Sequence, residues 1–292
     1  MDQSRDAYEL TSPLPELDHP VLVVHLAGWI DASGAAAAAL AALERACGTE
    51  VLATFDSDMF VDYRARRPTM EIREGINAGL VWSDIELRHG TDPQGRDVLL
   101  LTGPEPDMQW KRFAAAVTDV VVRLGAQKAV GFGAYPFATP HTRPTQLSCT
   151  SPSAEVVAAT PYDKGTVDVP AGMSSVLEHS LTEAGVAMLG LWARVPHYIS
   201  AMAYPAASVA LLQGLTDATG IRVPVIDLEN EAHKQRRRID QLVEGNDEHK
   251  AMVEQLESLF DQAAEQANTL AGELPSGDDL AAEFEKFLRD QE

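Results

Sequence analysis

In the stretch GFGAYPFATPHTRPTQLSCT (131–150), prolines at 136, 140 and 144 fence in His141 and Arg143. A histidine held that way could serve as acid or base, and the arginine could grip an anion. Three other stretches carry comparable chemistry. VLVVHLAGWIDASGAAAAAL places Asp31 where a strand turns into a helix, flanked by Gly28 and Gly34. LLLTGPEPDMQWKRF offers Glu105 as an acid or base beside another helix start, where a carboxylate can equally be a dipole partner. FDSDMFVDYRARRPTMEIREG gathers Arg64, Arg66 and Arg67 beside Asp58, Asp62 and Tyr63. Those arginines could hold a carboxylate or phosphate, or close a loop on Asp58, Asp62 and Glu71. His141 and Glu105 are therefore the catalytic candidates. Arg66, Arg67, Tyr63, Asp62, His141, Arg143 and Asp31 are the ligand-binding candidates, with Arg67 and Arg143 expected to meet on one rim.

The bland readings stand beside these. Asp31 can cap its helix, His141 can be a satisfied loop residue, and the prolines can simply pin a loop of the kind that seals a subunit contact. No GxSxG, HExxH, P-loop or CxxC motif occurs, and the glycine spacing at Gly28 is not a dinucleotide fingerprint. No metal or cofactor is expected.

Composition narrows the partners. The chain has 292 residues and a net charge of −21, which repels phosphate backbones and argues against nucleic acid. Two cysteines, Cys47 and Cys149, stand in no metal-ligand spacing and fit a reducing, cytoplasmic setting. MDQSRDAYEL lacks the basic and apolar regions of a signal peptide, and the apolar run 35–43 is too short to cross a bilayer.

The elements that must position these residues follow from periodicity. Continuous apolar runs at 21–26, 51–55, 98–102, 128–132 and 186–193 predict strands covered on both faces. Helical patterns fall at 33–46, 107–124, 174–184 and 205–219. The alternation predicts a three-layer α/β/α sandwich with a mainly parallel sheet, mixed because 85–88 and 97–101 read as a hairpin. Beyond Asp227 strands cease, and 18 acidic against 7 basic residues supply half the excess charge. We therefore expect a core over 1–229 and an acidic helical extension over 230–292, with helices at 230–243, 247–270 and 278–289. The stretches carrying Asp31, Glu105 and His141, and a fourth with Arg194, His197 and Tyr198 after the 186–193 strand, fall at strand carboxyl ends, where such sheets bind ligands; the arginine segment stands apart from them.

The series GWIDASGAA, FDSDMFVDYRARRP, TGPEPDMQW, GFGAYPFATPHTRP, VPHYISAMAYPAA and LPSGDDLAAEFEKFL resembles the second proteasome-assembly-chaperone family in its actinobacterial branch. The resemblance implies a phosphorylase/hydrolase-like core and a non-enzymatic protein-interaction role, its eukaryotic members helping to assemble proteasome α-rings. The expected partners are other protein subunits, proteasome-related ones among them, and further copies of the chain. Some proteasome-binding relatives end in hydrophobic–tyrosine–any; this chain departs, reading Asp290-Gln291-Glu292. The competing reading is an enzyme or anion binder, phosphorylase-, hydrolase- or ATP-grasp-like, using the strand-end crevice.

Overall fold

The computed structural model describes residues 5–272, with side chains described over 6–265. In chain order the elements are β1 (Tyr8–Leu10), β2 (Val21–Ala27), α1 (Ala35–Cys47), β3 (Glu50–Phe55), α2 (Ser57–Phe60), β4 (Thr69–Arg73), β5 (Ile76–Val81), β6 (Ile85–Thr91), β7 (Asp97–Pro104), α3 (Trp110–Arg123), β8 (Lys128–Phe137), β9 (Leu147–Thr150), α4 (Ala154–Ala158), α5 (Met173–Glu183), β10 (Ala187–Pro196), α6 (Pro205–Thr219), α7 (Ile226–Glu244) and α8 (Asp247–Gly272). The helix expected at 278–289 lies outside the described residues.

Eight strands form one sheet in the order β1-β3-β6-β7-β2-β8-β10-β9. The central four, β7, β2, β8 and β10, are parallel, and the flanking strands pair antiparallel. The β6–β7 pair is the hairpin expected from the sequence. Strands β1 and β9, at the two edges, are only three and four residues long.

Two apolar cores lie on opposite faces of this sheet. Val21, Val23, Val98 and Leu100 point toward α1, α6 and α7, while Leu22, Val24, Leu99 and Leu101 point toward α3 and α5. The two-residue side-chain period of a strand makes this division, and it is why the strands read as unbroken apolar runs. The first core continues into Leu228 and Ile239 of α7, so that helix shares its apolar packing with α6 and the sheet.

The alanine run of α1 has a steric cause. Ala35, Ala36 and Ala39 are fully buried on the side that faces α6, and Ser208 Oγ of α6 donates 2.8 Å to the Ala35 carbonyl. Backbones that close leave no room for longer side chains. Among the described residues no helix is long and apolar enough to cross a membrane. The tight α1–α6 contact predicts that Ala39→Leu lowers unfolding stability by about 1–3 kcal/mol, whereas Leu at the exposed Ala38 is near neutral; urea titration distinguishes them.

Candidate functional site

The carboxyl ends of the four parallel strands lie side by side and feed the loops that carry the candidate residues. After β2, Asp31 turns back and accepts from the Ala36 and Ala37 backbone N–H groups at 2.9 and 3.0 Å. It thus covers the open N-terminus of α1 across a single 3₁₀ turn. The Ser33 N–H donates to the Ser200 carbonyl at 2.8 Å, stitching this loop to the one after β10.

After β7, the Glu105 carboxylate accepts from the Met173 N–H at 2.6 Å, at the N-terminus of α5. The expected helix-start partner exists, but on a helix nearly seventy residues away rather than on α3. Gly28 permits the arrangement, since a Cβ there would sit 2.6 Å from Glu105 Oε2.

After β8 comes the loop bearing His141 and Arg143. The His141 ring is buried, with Nδ1 2.6 Å from the Tyr198 hydroxyl and Nε2 2.9 Å from Asp240 Oδ1 on α7. The Tyr198 hydroxyl also accepts from the His141 backbone N–H at 2.9 Å. Burial pushes the imidazole pKa below its ordinary 6.5, against the opposing pull of Asp240 and Glu257. Arg143 donates through Nε and a terminal nitrogen to both oxygens of Asp261, at 2.8 and 2.7 Å, and reaches Glu257 at 3.1 Å. Thr142 bonds the same Glu257, and Arg236 donates to the Thr142 carbonyl. The fenced loop is therefore a latch on α7 and α8, its polar groups occupied by this chain's own carboxylates.

The arginine segment lies against the other pair of strands. Arg66 Nε bonds both oxygens of Asp107 at 3.2 and 3.1 Å, and a terminal nitrogen reaches the Ala27 carbonyl at 3.4 Å. The Asp62 carboxylate accepts from the Arg64 N–H, closing a local turn, while its own N–H donates to Asp107. Tyr63 packs edge-on against Trp82, ring centroids 4.7 Å apart. Arg67 is exposed.

Between these segments and α1 opens a cleft of about 500 Å³, lined among others by His25, Glu44, Arg66, Asp84 and Thr102. Gly103 shapes one wall: its φ is +127°, and a Cβ there would strike the Asp84 carbonyl. His141 and Arg143 do not line this cleft. The strand-end edge is thus divided, with the Arg66 cleft over β2 and β7 and the latch beyond β8 and β10. Arg67 does not line this cleft either, and Arg143 is held by Glu257 and Asp261.

His25 and Glu178 are buried ionisable residues that sit inside apolar patterns of the sequence. His25, inside the apolar run of β2, stands 3.7 Å from Asp31 and has its pKa lowered by burial. Glu178, on the inner side of α5, accepts from Thr150 at 2.8 Å, and burial raises its pKa to about 7. Gly190 leaves the space it occupies, because a Cβ there would collide with both Glu178 and Thr150. Glu178 lies away from the strand-end edge, so a perturbed carboxyl here is a packing matter rather than a marker of the cleft. Among the described residues no group of three or more metal-ligating side chains occurs.

Comparison with known proteins bears on this arrangement. The model of the PAC2 family matches residues 25–243. A Corynebacterium glutamicum protein of unknown function is 32% identical with a TM-score of 0.83, over 89% of this chain and 98% of its own. A Mycobacterium tuberculosis proteasome-assembly chaperone homologue is 31% identical with a TM-score of 0.74, over 80% and 99%. A Pyrococcus furiosus archaeal proteasome activator shares the fold at 15% identity, with a TM-score of 0.62 over 80% and 97%. No curated protein matches the sequence.

Two measurements check the site. His141 folds with a lowered pKa, so its contribution is present above 6.5 and is lost as pH falls through the folded value. Hydrogen exchange of α8, corrected for intrinsic rates, should therefore lose protection on acidification, and Arg143→Ala should reduce it at every pH. Glu178 has the opposite sign: its raised pKa costs stability as pH climbs from 4.5 toward about 7. Glu178→Gln should stabilise the protein at pH 8 by on the order of 2–3 kcal/mol and leave it nearly unchanged at pH 4, read by thermal melts.

Proposed function

The chain belongs to the PAC2 family, and from that premise we propose that it is a non-enzymatic protein-interaction module of proteasome-assembly-chaperone type. Its partners on this reading are proteasome-related subunits and further copies of itself. One observation carries it: the chemically capable residues at the strand ends are turned inward on each other. Asp31 serves α1, Glu105 serves α5, His141 serves Asp240, and Arg143 serves Glu257 and Asp261. A catalytic group needs a free reactive atom facing a substrate, and these are spent on holding loops. The likeness to the mycobacterial chaperone homologue, over almost all of that protein, supports the same reading.

The competing reading, a binder of a small anion, has a single observation in its favour, the cleft that Arg66 and His25 line. Arg66 there already serves Asp107, which leaves little positive charge for a ligand.

The two readings separate in one experiment. Purified full-length protein mixed with purified actinobacterial proteasome α-subunits should form a complex on native gels, while inorganic phosphate should leave its melting temperature unchanged. The proposal fails if no complex forms and phosphate raises the melting temperature in a way that Arg66→Ala abolishes.

A further inference from the structure

The row of side chains that β2 and β7 present to α1 changes character at its end. Val21 and Val23 on β2, and Val98 and Leu100 on β7, are core residues. Two positions on, the same faces carry His25 and Thr102, which are partners in the parallel register. Both line the cleft of about 500 Å³, a size within the roughly 300–1,000 Å³ of small-ligand sites. The wall supplied by α1 consists of Ala37, Leu40, Ala41 and Glu44, three- and four-residue steps that make one stripe, apolar until its last member. Alanine at 37 and 41 keeps that wall low.

The polar groups of this cleft call for a donor that carries positive charge. His25 is 7% exposed, and its Nδ1 lies 3.5 Å from the Phe132 carbonyl. A carbonyl only accepts, so the proton of the neutral ring sits on Nδ1 and Nε2 keeps a lone pair. Burial favours that neutral form by lowering the pKa. Nε2 has another acceptor, Asp31 Oδ2, 3.7 Å away, and meets no donor among the described residues. Asp84, just before β6, accepts a long bond of 3.4 Å from the Ser57 hydroxyl and pairs with no cation among the described residues. Glu44 shares Arg88 with Glu86, and Arg66 is matched by Asp107. With Asp31 included, five carboxylates stand against two guanidiniums, a surplus of three negative charges in a chain already at −21. Such a field gathers cations and turns anions away.

We propose that the cleft is a binding site for an alkylammonium group, whose N–H bonds are received by the unpaired acceptors of His25 and Asp84 and whose aliphatic stem lies along Ala37, Leu40 and Ala41. A compact ammonium suits a single imidazole lone pair better than a planar guanidinium, whose fork is built for two parallel acceptors. A free amine or the lysine side chain of a partner protein brings the same group. This site goes beyond the interaction role and does not rest on it.

Titration of the full chain with n-butylamine at about 150 mM salt, followed by amide chemical shifts, should give saturable changes clustered at 37–44 and 102–103. 1-Butanol, the same stem without charge, and inorganic phosphate should leave those amides unchanged. Asp84→Asn should weaken the amine about tenfold through the loss of one charged partner. Ala37→Leu, at an exposed position, should block the cleft while circular dichroism stays that of the wild type. Comparison with Nα-acetyl-lysine methylamide assigns the source: tighter binding of the capped lysine marks a partner's side chain, tighter binding of butylamine a free amine. Shifts that never saturate or that spread over the acidic surface, equal binding of 1-butanol, or an amine affinity unchanged in both variants would overturn the proposal.

Discussion

A buried imidazole held between a phenol and a carboxylate ties the end of the described chain to the middle of the sheet. Polar groups cannot be covered without partners, because each unmet donor or acceptor costs about 1–3 kcal/mol. His141 meets this demand on both ring nitrogens, and its neighbours Thr142 and Arg143 extend the same arrangement to α8. Once α7 and α8 lie over the strand ends, the loops beneath them have to be polar, rigid and internally paired. The proline spacing and the acidic character of the last helices are consequences of one packing decision.

That decision also accounts for the uneven charge. The carboxylates of α7 and α8 look, in the sequence, like a solvated acidic appendage. Asp240, Glu257 and Asp261 are instead the counterparts of a histidine and an arginine about a hundred residues earlier. α7 also contributes Leu228 and Ile239 to the same apolar core as α1 and α6. A composition shift marks where the strands end, which is not the same as where shared packing ends.

The layered fold was legible in the sequence because its signal is local. Unbroken apolar runs marked β2, β7, β8 and β10, and three- and four-residue spacing marked α3 and α6. Elements with weaker signals were missed: β1 and β9 are too short to show a period, and β4 and β5 are exposed on both sides, so no buried face patterns them. The polar residues were visible but their partners were not. Glu105 reaches α5 and Arg143 reaches α8 across 68 and 118 positions, and pairings that distant depend on topology rather than spacing. His25 and Glu178 were hidden for the reverse reason, each being one ionisable residue within an otherwise ordinary apolar pattern.

The stunted outermost strands β1 and β9 have a bearing on how the molecule behaves in company. A ribbon of three or four residues offers a stranger too few free amides to lengthen the sheet, so the eight-stranded platform is closed at both margins. Copies crowded together meet little strand edge on which to extend it.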